Sequence, residues 1–421
     1  MTDYHAEHVK AYLKRMYDNG FIYEKEEEQD FCPSCNTFLS DREIIGVCPH
    51  CHGVAKGDQC DSCLATLSAS EVLDKKCANC GSTTILKPNK HLYFALSKFQ
   101  DKIKKLTDDH ANIWRYNAVN ETYKFLDMGL IDRAVTRQLE WGIDVPFEHF
   151  EDKKIYVWIE AVLGYLTAGN KVADDRGIDF EKFMQKGNVT SYYVHGKDNI
   201  PFHTVIYPSL LMAIDENIDL PDHIISCEYV NMNNEKMSKS KGNLISINEL
   251  TSMFDKDSIR YFMLANGPEN KDTNFSMQDF ITNHNKFLVG TLGNFVNRNL
   301  SFMNKKFDGK ICEGKIDENI KALTKDYYNE IGSLIERGKI KSAIEKAFDY
   351  VSEGNRYYSD RKPWEQVNND INEFNNTTFT CVYMMANMAN MLIPFIPHTC
   401  ERIKAKLALD FAPSWREVEI K

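Results

Sequence analysis

Four C-x-x-C pairs lie between residues 32 and 80 and hold eight of the chain's twelve cysteines. Two cysteines three positions apart in a tight turn direct both sulfurs at one ion, and two such pairs complete a tetrahedral site. The inner pairs are close in sequence, so we expect them to form one site, with the outer pairs closing a second site around it. The inner pairs are Cys48/Cys51 and Cys60/Cys63, and the outer pairs are Cys32/Cys35 and Cys77/Cys80.

These cysteine sites are predicted to be structural zinc sites rather than catalytic ones. Four thiolates fill a tetrahedral shell and leave no position for a reactive water. Substitution of a ligand by His50 or His52, which lie in or beside a pair, stays an alternative. Free thiols or a redox C-x-x-C pair are a further alternative.

A second cluster is the run Lys236-Met237-Ser238-Lys239-Ser240, followed by Lys241-Gly242. Two lysines three apart, with Ser238 between them and Ser240 after them on a glycine-terminated loop, suit a polyphosphate. The ammonium groups neutralise phosphate charge, while hydroxyl and amide groups donate directional hydrogen bonds. The alternative is a solvated basic loop without a ligand.

Composition limits the classes of protein to which the chain can belong. Its 421 residues are 43% apolar and 27% charged, which is typical of two to four folded domains and excludes a disordered or collagenous chain. The net charge of −10 argues against binding driven by indiscriminate attraction to nucleic-acid phosphates. The N-terminus has no apolar signal region, and the longest apolar run, 381–396, contains two asparagines and a proline. We therefore expect a cytoplasmic protein with no membrane segment, in a compartment that keeps thiols reduced.

Three kinds of element are predicted to position these clusters. Residues 5–18 have the spacing of an amphipathic helix, and a turn-rich cysteine segment follows to about residue 90. Short apolar runs at 155–159, 191–194 and 224–227 indicate buried parallel strands of an α/β sheet. From about residue 272 strand signals vanish and helical periodicity predicts a bundle, with Met384, Met385, Met388 and Met391 as core residues rather than a partner surface.

The lysine–serine run carries a resemblance to a known family. Lys236-Met-Ser-Lys-Ser240 is similar to the signature loop of class I aminoacyl-tRNA synthetases, and its surroundings resemble the methionyl-tRNA synthetases. The zinc knuckles resemble that family's connective insertion in its two-zinc form. Four more stretches, covering the chain in order, agree with the family: 156–165, 195–203, 293–298 and 355–364.

The resemblance implies a nucleotide site around the lysine loop. Lys236 and Lys239 would stabilise the pyrophosphate leaving group as the methionine carboxylate attacks the α-phosphate of ATP, with Mg²⁺ as a possible companion of the nucleotide. The same resemblance places the remaining ATP contacts on His195, Gly196, Ser238 and Ser240.

The resemblance also implies a methionine pocket and an anticodon surface. Trp158, Ala161, Tyr165 and His203 would line the methionine side chain, and Asp198 would anchor the substrate amino group or the ribose. Without the family, Trp158 is more typical of a core aromatic, and an Asp after a strand, such as Asp198, is often a helix cap. Asn294, Arg298 and Trp364 would read unstacked bases of methionine tRNA through hydrogen bonds and stacking, although Trp364 alone could be a packing residue.

The implied fold is a partial Rossmann-type nucleotide-binding fold with a zinc-knuckle insertion, followed by an α-helical anticodon-binding bundle. The expected boundaries are a leading helix at 1–30, the knuckles at 31–90, the rest of the connective region at 91–150, the second half of the catalytic domain at 151–271 and the anticodon domain at 272–421.

The family's second signature, His-x-Gly-His, is missing from the sequence. Among twelve histidines the only pair three apart is His5-Ala-Glu-His8, in an amphipathic helix. We therefore expect a truncated member lacking the first half of the catalytic domain, with an open sheet edge that self-associates or binds an N-terminal half-protein. One hypothesis is a tRNA-binding protein that does not form methionyl-adenylate alone. The other is the C-terminal part of a split methionine–tRNA ligase, active once that half is supplied.

Overall fold

A computed structural model describes residues 2–420 except 58, 59, 61, 62, 64–66, 68, 238–241, 243 and 312. Two compact units share the chain. The first comprises Met1–Asn112, Val119–Tyr192 and Asn199–Asp222, and the second comprises Ile113–Ala118, Tyr193–Asp198 and His223–Lys421. Each unit is described by itself.

The first unit begins with the predicted amphipathic helix, α1 Asp3–Asp18, whose Val9, Leu13 and Met16 are fully buried. Gly20, with φ at +76°, ends the helix in the left-handed conformation that glycine adopts at little cost. The elements that follow in this unit are β1 Ile22–Cys32, β2 Thr37–Phe38, β3 Ile44–Val47, β4 Val54–Lys56, β5 Leu73–Cys77, β6 Ile85–Phe94, α2 Gln100–His110, most of α3 Tyr116–Met128, β7 Arg133–Ala134, β8 Thr136–Arg137, β9 Lys154–Ile155, α4 Val157–Arg176, α5 Phe180–Phe183 and α6 Tyr207–Ile214.

An antiparallel arm, formed by β1 and β6, carries the cysteine segment. The two strands pair from Ile22 opposite Phe94 to Phe31 opposite Ile85. The sequence predicts neither strand, because residues 23–28 of β1 are exposed and the buried middle residues of β6, Asn89 and His91, are polar, so apolar alternation is absent there. Their pairing is long-range and includes charged partners such as Glu24 and Lys90.

The apolar run 155–159 was predicted to be a strand, and that prediction is wrong beyond its first residue. Only Lys154–Ile155 is a strand, and helix α4 begins at Val157. The run continues into Val162, Leu163 and Leu166, which are buried with Ile159 on one helical face. Burial at this helical spacing outweighs the local preference of β-branched and aromatic residues for strands.

The second unit joins small sheets to a helical bundle. Its strands β10 Tyr192–Gly196 and β11 His223–Cys227 pair with each other and confirm strands at the two remaining runs, but β10, which was expected to be buried, has no buried residue. Strand β12 (Val230–Met232) pairs antiparallel with β13 (Glu235–Lys236) and parallel with β14 (Thr273–Phe275), and β14 lies just beyond the point where strand signals are expected to vanish. The other elements are β12 Val230–Met232, β13 Glu235–Lys236, α7 Ile247–Met253, α8 Lys256–Ala265, β14 Thr273–Phe275, α9 Met277–Asn283, a π-helical segment His284–Gly293, α10 Asn294–Phe307, α11 Glu318–Glu336, α12 Ile340–Arg361, α13 Pro363–Asn369, α14 Ile371–Leu392 and α15 Pro397–Lys406.

The bundle core is built by α11, α12 and α14. The methionine stripe on α14 is buried in this core, as predicted, with Met384, Met385 and Met391 fully inaccessible. Buried tyrosines, Tyr350 and Tyr383, complete the packing. Among the helices of the described residues, none is long and apolar enough to cross a membrane.

Candidate functional site: cysteine clusters, aromatic wall, lysine hairpin and helical surface

The eight clustered cysteines form two groups, and their membership is the nested one expected from the sequence. The Sγ atoms in each group all lie within 4.8 Å of one another. In the outer group Cys32 is 3.4 Å from Cys80 and Cys35 is 3.9 Å from Cys77. In the inner group the corresponding distances are 3.8 Å for Cys48–Cys63 and 3.5 Å for Cys51–Cys60.

The geometry of both clusters fits a tetrahedral metal ion. Zn–S bonds of about 2.3 Å place tetrahedral sulfurs about 3.8 Å apart, close to the separations found. Backbone N–H groups also point at the sulfurs: Cys35 donates to Cys32 and Cys63 donates to Cys60, each at 3.4 Å. These contacts are those of knuckle turns that present thiolates to a cation, so each cluster could hold zinc.

The exposed face of α4 forms an aromatic wall in the first unit. Trp158, Ala161 and Tyr165 lie at helical spacing and are exposed, opposite the buried face of the same helix. The Trp158 indole stacks on Phe202, with ring centroids 4.9 Å apart and planes at 27°. The sequence-predicted residues of the methionine wall in this unit therefore share one surface.

His203 adjoins this wall on a π-helical segment, Phe202–Ile206. Its Nδ1 lies 2.8 Å from the Asn199 carbonyl oxygen, and its Nε2 lies 2.8 Å from the Tyr165 hydroxyl. Burial lowers the pKa of His203, so the ring is neutral at pH 7. Because Nδ1 must then donate to the carbonyl, Nε2 accepts from Tyr165, and His203 presents no charge to an apolar ligand.

An apolar cavity of about 360 Å³ opens beside the stacked rings. Trp158 and Phe202 form part of its lining, together with Leu96, Phe125 and Ile131. Its volume is sufficient for a small apolar side chain.

The second unit positions Lys236 and Asp198. Strands β12 and β13 form a hairpin whose two loop residues, Asn233 and Asn234, have φ of 51° and 66°, as a type I′ turn requires. This turn brings the exposed Lys236 back beside Tyr229, with its Nζ 5.3 Å from the ring centroid. The Tyr229 hydroxyl in turn donates a hydrogen bond to the Asp198 carboxylate.

The other residues predicted to bind the nucleotide belong to strand β10 and to the lysine–serine run. His195 and Gly196 end strand β10, and His195 Nδ1 lies 3.0 Å from the Gly196 carbonyl oxygen. A Cβ added to Gly196 would meet open space. Ser238, Lys239 and Ser240 lie outside the described residues.

The predicted anticodon residues converge on one surface of the helical bundle. Arg298, on α10, lies with its guanidinium 4.7 Å from the Tyr358 ring centroid, and that ring is 5.8 Å from Trp364. Trp364 is 41% exposed and follows Pro363, the first residue of α13. Asn294, one turn before Arg298, donates to the Asn355 amide oxygen at 3.0 Å.

Sequence reasoning missed two residues that link the predicted ones. The Tyr358 ring is buried and contacts both Arg298 and Trp364. In the sequence, Tyr358 has only the helical spacing of a core residue. Tyr229 connects Asp198 with Lys236, and its position just before the lysine run was the available signal.

The class of protein follows from comparison with known families. Residues 1–300 match the family model described as tRNA synthetases class I (M). Residues 312–420 match the model described as the anticodon binding domain of methionyl tRNA ligase. The chain therefore carries a class I aminoacyl-tRNA synthetase catalytic region and a helical anticodon-binding domain.

Similar proteins show to which family of class I synthetases the chain belongs. A methionine–tRNA ligase of Bacillus anthracis is 44% identical over 410 residues, covering 97% of this chain and 75% of that protein. Methionine–tRNA ligase 1 of Alkaliphilus oremlandii is 42% identical, covering 99% of this chain and 77% of that protein. The chain belongs to the methionyl-tRNA synthetase family.

A solved structure has the same fold. The Mycobacterium tuberculosis methionyl-tRNA synthetase in complex with methionyl-adenylate superposes with a TM-score of 0.74 at 23% identity. The match covers 96% of this chain and 74% of that one.

Proposed function

We propose that the protein binds methionine tRNA through the surface defined by Asn294, Arg298 and Trp364. The observation that carries this proposal is the Arg298–Tyr358–Trp364 contact series, in which a cation and an exposed indole are held by a buried ring. An exposed indole offers a stacking face to an unstacked base, and guanidinium and amide groups offer hydrogen bonds to base edges.

Filter binding to methionine tRNA tests this proposal. Replacement of Trp364 by alanine removes the stacking face, whereas Trp364→Phe keeps a ring and serves as the matched control. Stacking contributes about 1–3 kcal/mol per base, so Trp364→Ala is expected to weaken binding roughly 5- to 150-fold. Equal, weak binding by the wild-type protein and Trp364→Ala would reject the proposal.

The second proposed function is methionine activation with ATP. Trp158, Ala161, Tyr165 and the neutral His203 would bind the thioether side chain, because a soft apolar group suits aromatic and uncharged walls. Asp198 would bind the amino group or the ribose. Lys236, with Lys239, would stabilise the pyrophosphate, assisted by the ATP contacts proposed for His195, Gly196, Ser238 and Ser240, with Mg²⁺ accompanying the nucleotide.

Methionine-dependent ATP–pyrophosphate exchange tests the second function. The sequence contains no His-x-Gly-His, so the assay is run on the chain alone and with an added polypeptide that carries this signature. Our expectation is little exchange by the chain alone, rising on addition of the polypeptide and falling again in Lys236→Ala. Absence of exchange under both conditions would reject methionine activation.

We also propose that each cysteine cluster holds one structural zinc ion. The thiolate sets leave no open coordination position, so the metal would fix the tip of the β1–β6 arm and take no part in the reaction.

A further inference from the structure

Tyr229 lies between the two ends of the proposed substrate site in the second unit. Its hydroxyl donates to Asp198, and Lys236 Nζ lies 5.3 Å from its ring centroid. A second lysine, Lys197, lies closer, with Nζ 4.2 Å from the same centroid. One side chain thus contacts the residue proposed for the amino acid and a lysine proposed for the phosphates.

The backbone and surroundings of Tyr229 are held by a charged network. Lys197 Nζ pairs with Glu228 at 2.6 Å and with Asp272 at 3.0 Å. The same Asp272 oxygen accepts from the Tyr229 backbone N–H at 3.0 Å. The Glu228 side chain accepts a further hydrogen bond from Asn117 at 2.8 Å, so the network is anchored on a separate segment.

This network also fixes the protonation of the groups around the ring. Hydrogen bonds to Glu228 and Asp272 hold the pKa of Lys197 above its usual range, so Lys197 stays a cation over the ring. The Asp198 carboxylate raises the pKa of Tyr229, so the phenol stays protonated and continues to donate. Packing alone would not require this hydroxyl, because a phenylalanine would present the same ring to both lysines.

We propose that Tyr229 is a positioning residue that orients Asp198 toward the methionine amino group, rather than the ribose, through its hydroxyl and supports Lys236 through its ring. The inference rests on the proposed methionine and ATP site. It assigns the two parts of one side chain to two substrates: the hydroxyl acts on methionine binding and the ring acts on ATP binding.

Separating the two parts by mutation tests the assignment. Tyr229→Phe removes the hydroxyl and keeps the ring, whereas Tyr229→Leu removes both. Tyr116→Phe, at a tyrosine that is 79% exposed in the same unit, is the matched control for loss of a phenol. Equilibrium dialysis of the full chain against radiolabelled methionine and, separately, against ATP measures the two affinities without requiring catalysis.

The expected result is a split between the two ligands. Tyr229→Phe should weaken methionine binding about tenfold, the effect of losing a hydrogen bond to a charged group, and leave ATP binding unchanged. Tyr229→Leu should weaken methionine binding equally and also weaken ATP binding about two- to fivefold, as loss of a cation–π contact does. Tyr116→Phe should match the wild-type protein.

Two results overturn the inference alone. One is unchanged methionine binding by Tyr229→Phe, and the other is an equal loss of both ligands in that variant, which would indicate a purely structural role. If the wild-type protein binds neither ligand, the proposed substrate site fails, and the inference that rests on it fails as well.

Discussion

The nested pairing of the cysteines makes a sharp prediction about metal content. Each cluster combines one C-x-x-C pair from the first half of the cysteine segment with one pair from the second half. Cys32 and Cys77 therefore belong to the same cluster, whereas Cys48 belongs to the other. The double variant Cys32→Ser/Cys77→Ser should abolish only the outer site. The matched variant Cys32→Ser/Cys48→Ser, with the same number of thiols removed, should damage both sites.

The size of the effect follows from the geometry. Sulfur separations of 3.4–3.9 Å match the ~3.8 Å of a tetrahedral zinc site, so an intact cluster should bind tightly. Structural zinc sites contribute about 10–16 kcal/mol, and loss of one of four thiolates should remove roughly a quarter of that, about 3 kcal/mol. This is on the order of a hundredfold in affinity, enough for a chelator to extract the metal from a three-thiolate site.

Zinc is counted by elemental analysis after challenge with a chelator that spares intact sites. The wild-type protein should retain two zinc ions, Cys32→Ser/Cys77→Ser one, and Cys32→Ser/Cys48→Ser none. The reverse order of the two double variants would refute the nested pairing in favour of sequential pairing along the chain. Two zinc ions retained by both variants would refute cysteine ligation altogether.

Three further predictions concern the helical surface, the arm and the C-terminal segment. Arg298→Lys keeps the charge but loses the planar group above Tyr358, and should weaken methionine tRNA binding about three- to tenfold in filter binding; an unchanged affinity would contradict the contact. Burial, and to a lesser extent the charges of Lys153 and Arg137, lowers the pKa of His91 to about 4. The neutral histidine therefore contributes stability that is fully present above pH 6.5 and is lost as the pH falls toward 4. His91→Gln should therefore show a smaller fall in the urea midpoint between pH 7 and pH 5 than the wild-type protein, and equal falls would exclude this histidine as the cause. The Asn390 amide nitrogen lies 2.6 Å from the Ser414 carbonyl oxygen and 3.0 Å from the Arg416 carbonyl oxygen. Asn390→Leu should therefore release the C-terminal segment, at a cost of about 2–3 kcal/mol, and accelerate tryptic cleavage at Arg416. Asn369→Leu, at an exposed asparagine, should not accelerate this cleavage.

Local patterns in the sequence predicted helix α1, the helical bundle and the cysteine clusters, but not the start of α4, where a strand was expected. Helix α1 and the methionine stripe of α14 have regular apolar spacing, and the spacing of the C-x-x-C pairs predicts which thiols cluster together. Long-range pairing is what the sequence does not display. Residues 23–28 of β1 are exposed, and the buried residues in the middle of β6, Asn89 and His91, are polar, so neither strand shows apolar alternation there.

In the candidate site, too, residues within sequence motifs were predictable, whereas residues that matter through tertiary contacts were not. The family resemblance predicts Trp158, Tyr165 and His203 as site residues, and the structure brings them to one wall through a helix and a π-helical segment. It did not locate Tyr229 or Tyr358, because their significance depends on what lies against their rings. The contacts of Tyr229 with Asp198 and of Tyr358 with Arg298 join residues tens of positions apart in the chain, and no spacing rule predicts them.

Recognition of the anticodon is the central claim, and its most direct measurement is the affinity of the wild-type protein for two RNAs. One is methionine tRNA with its CAU anticodon, and the other is the same tRNA with one anticodon base replaced, compared by fluorescence anisotropy at one salt concentration. Because base stacking and base-edge hydrogen bonds contribute about 1–3 kcal/mol each, the replacement should weaken binding roughly 5- to 150-fold. Equal affinity for the two RNAs would mean that only phosphates are contacted, and would contradict the account.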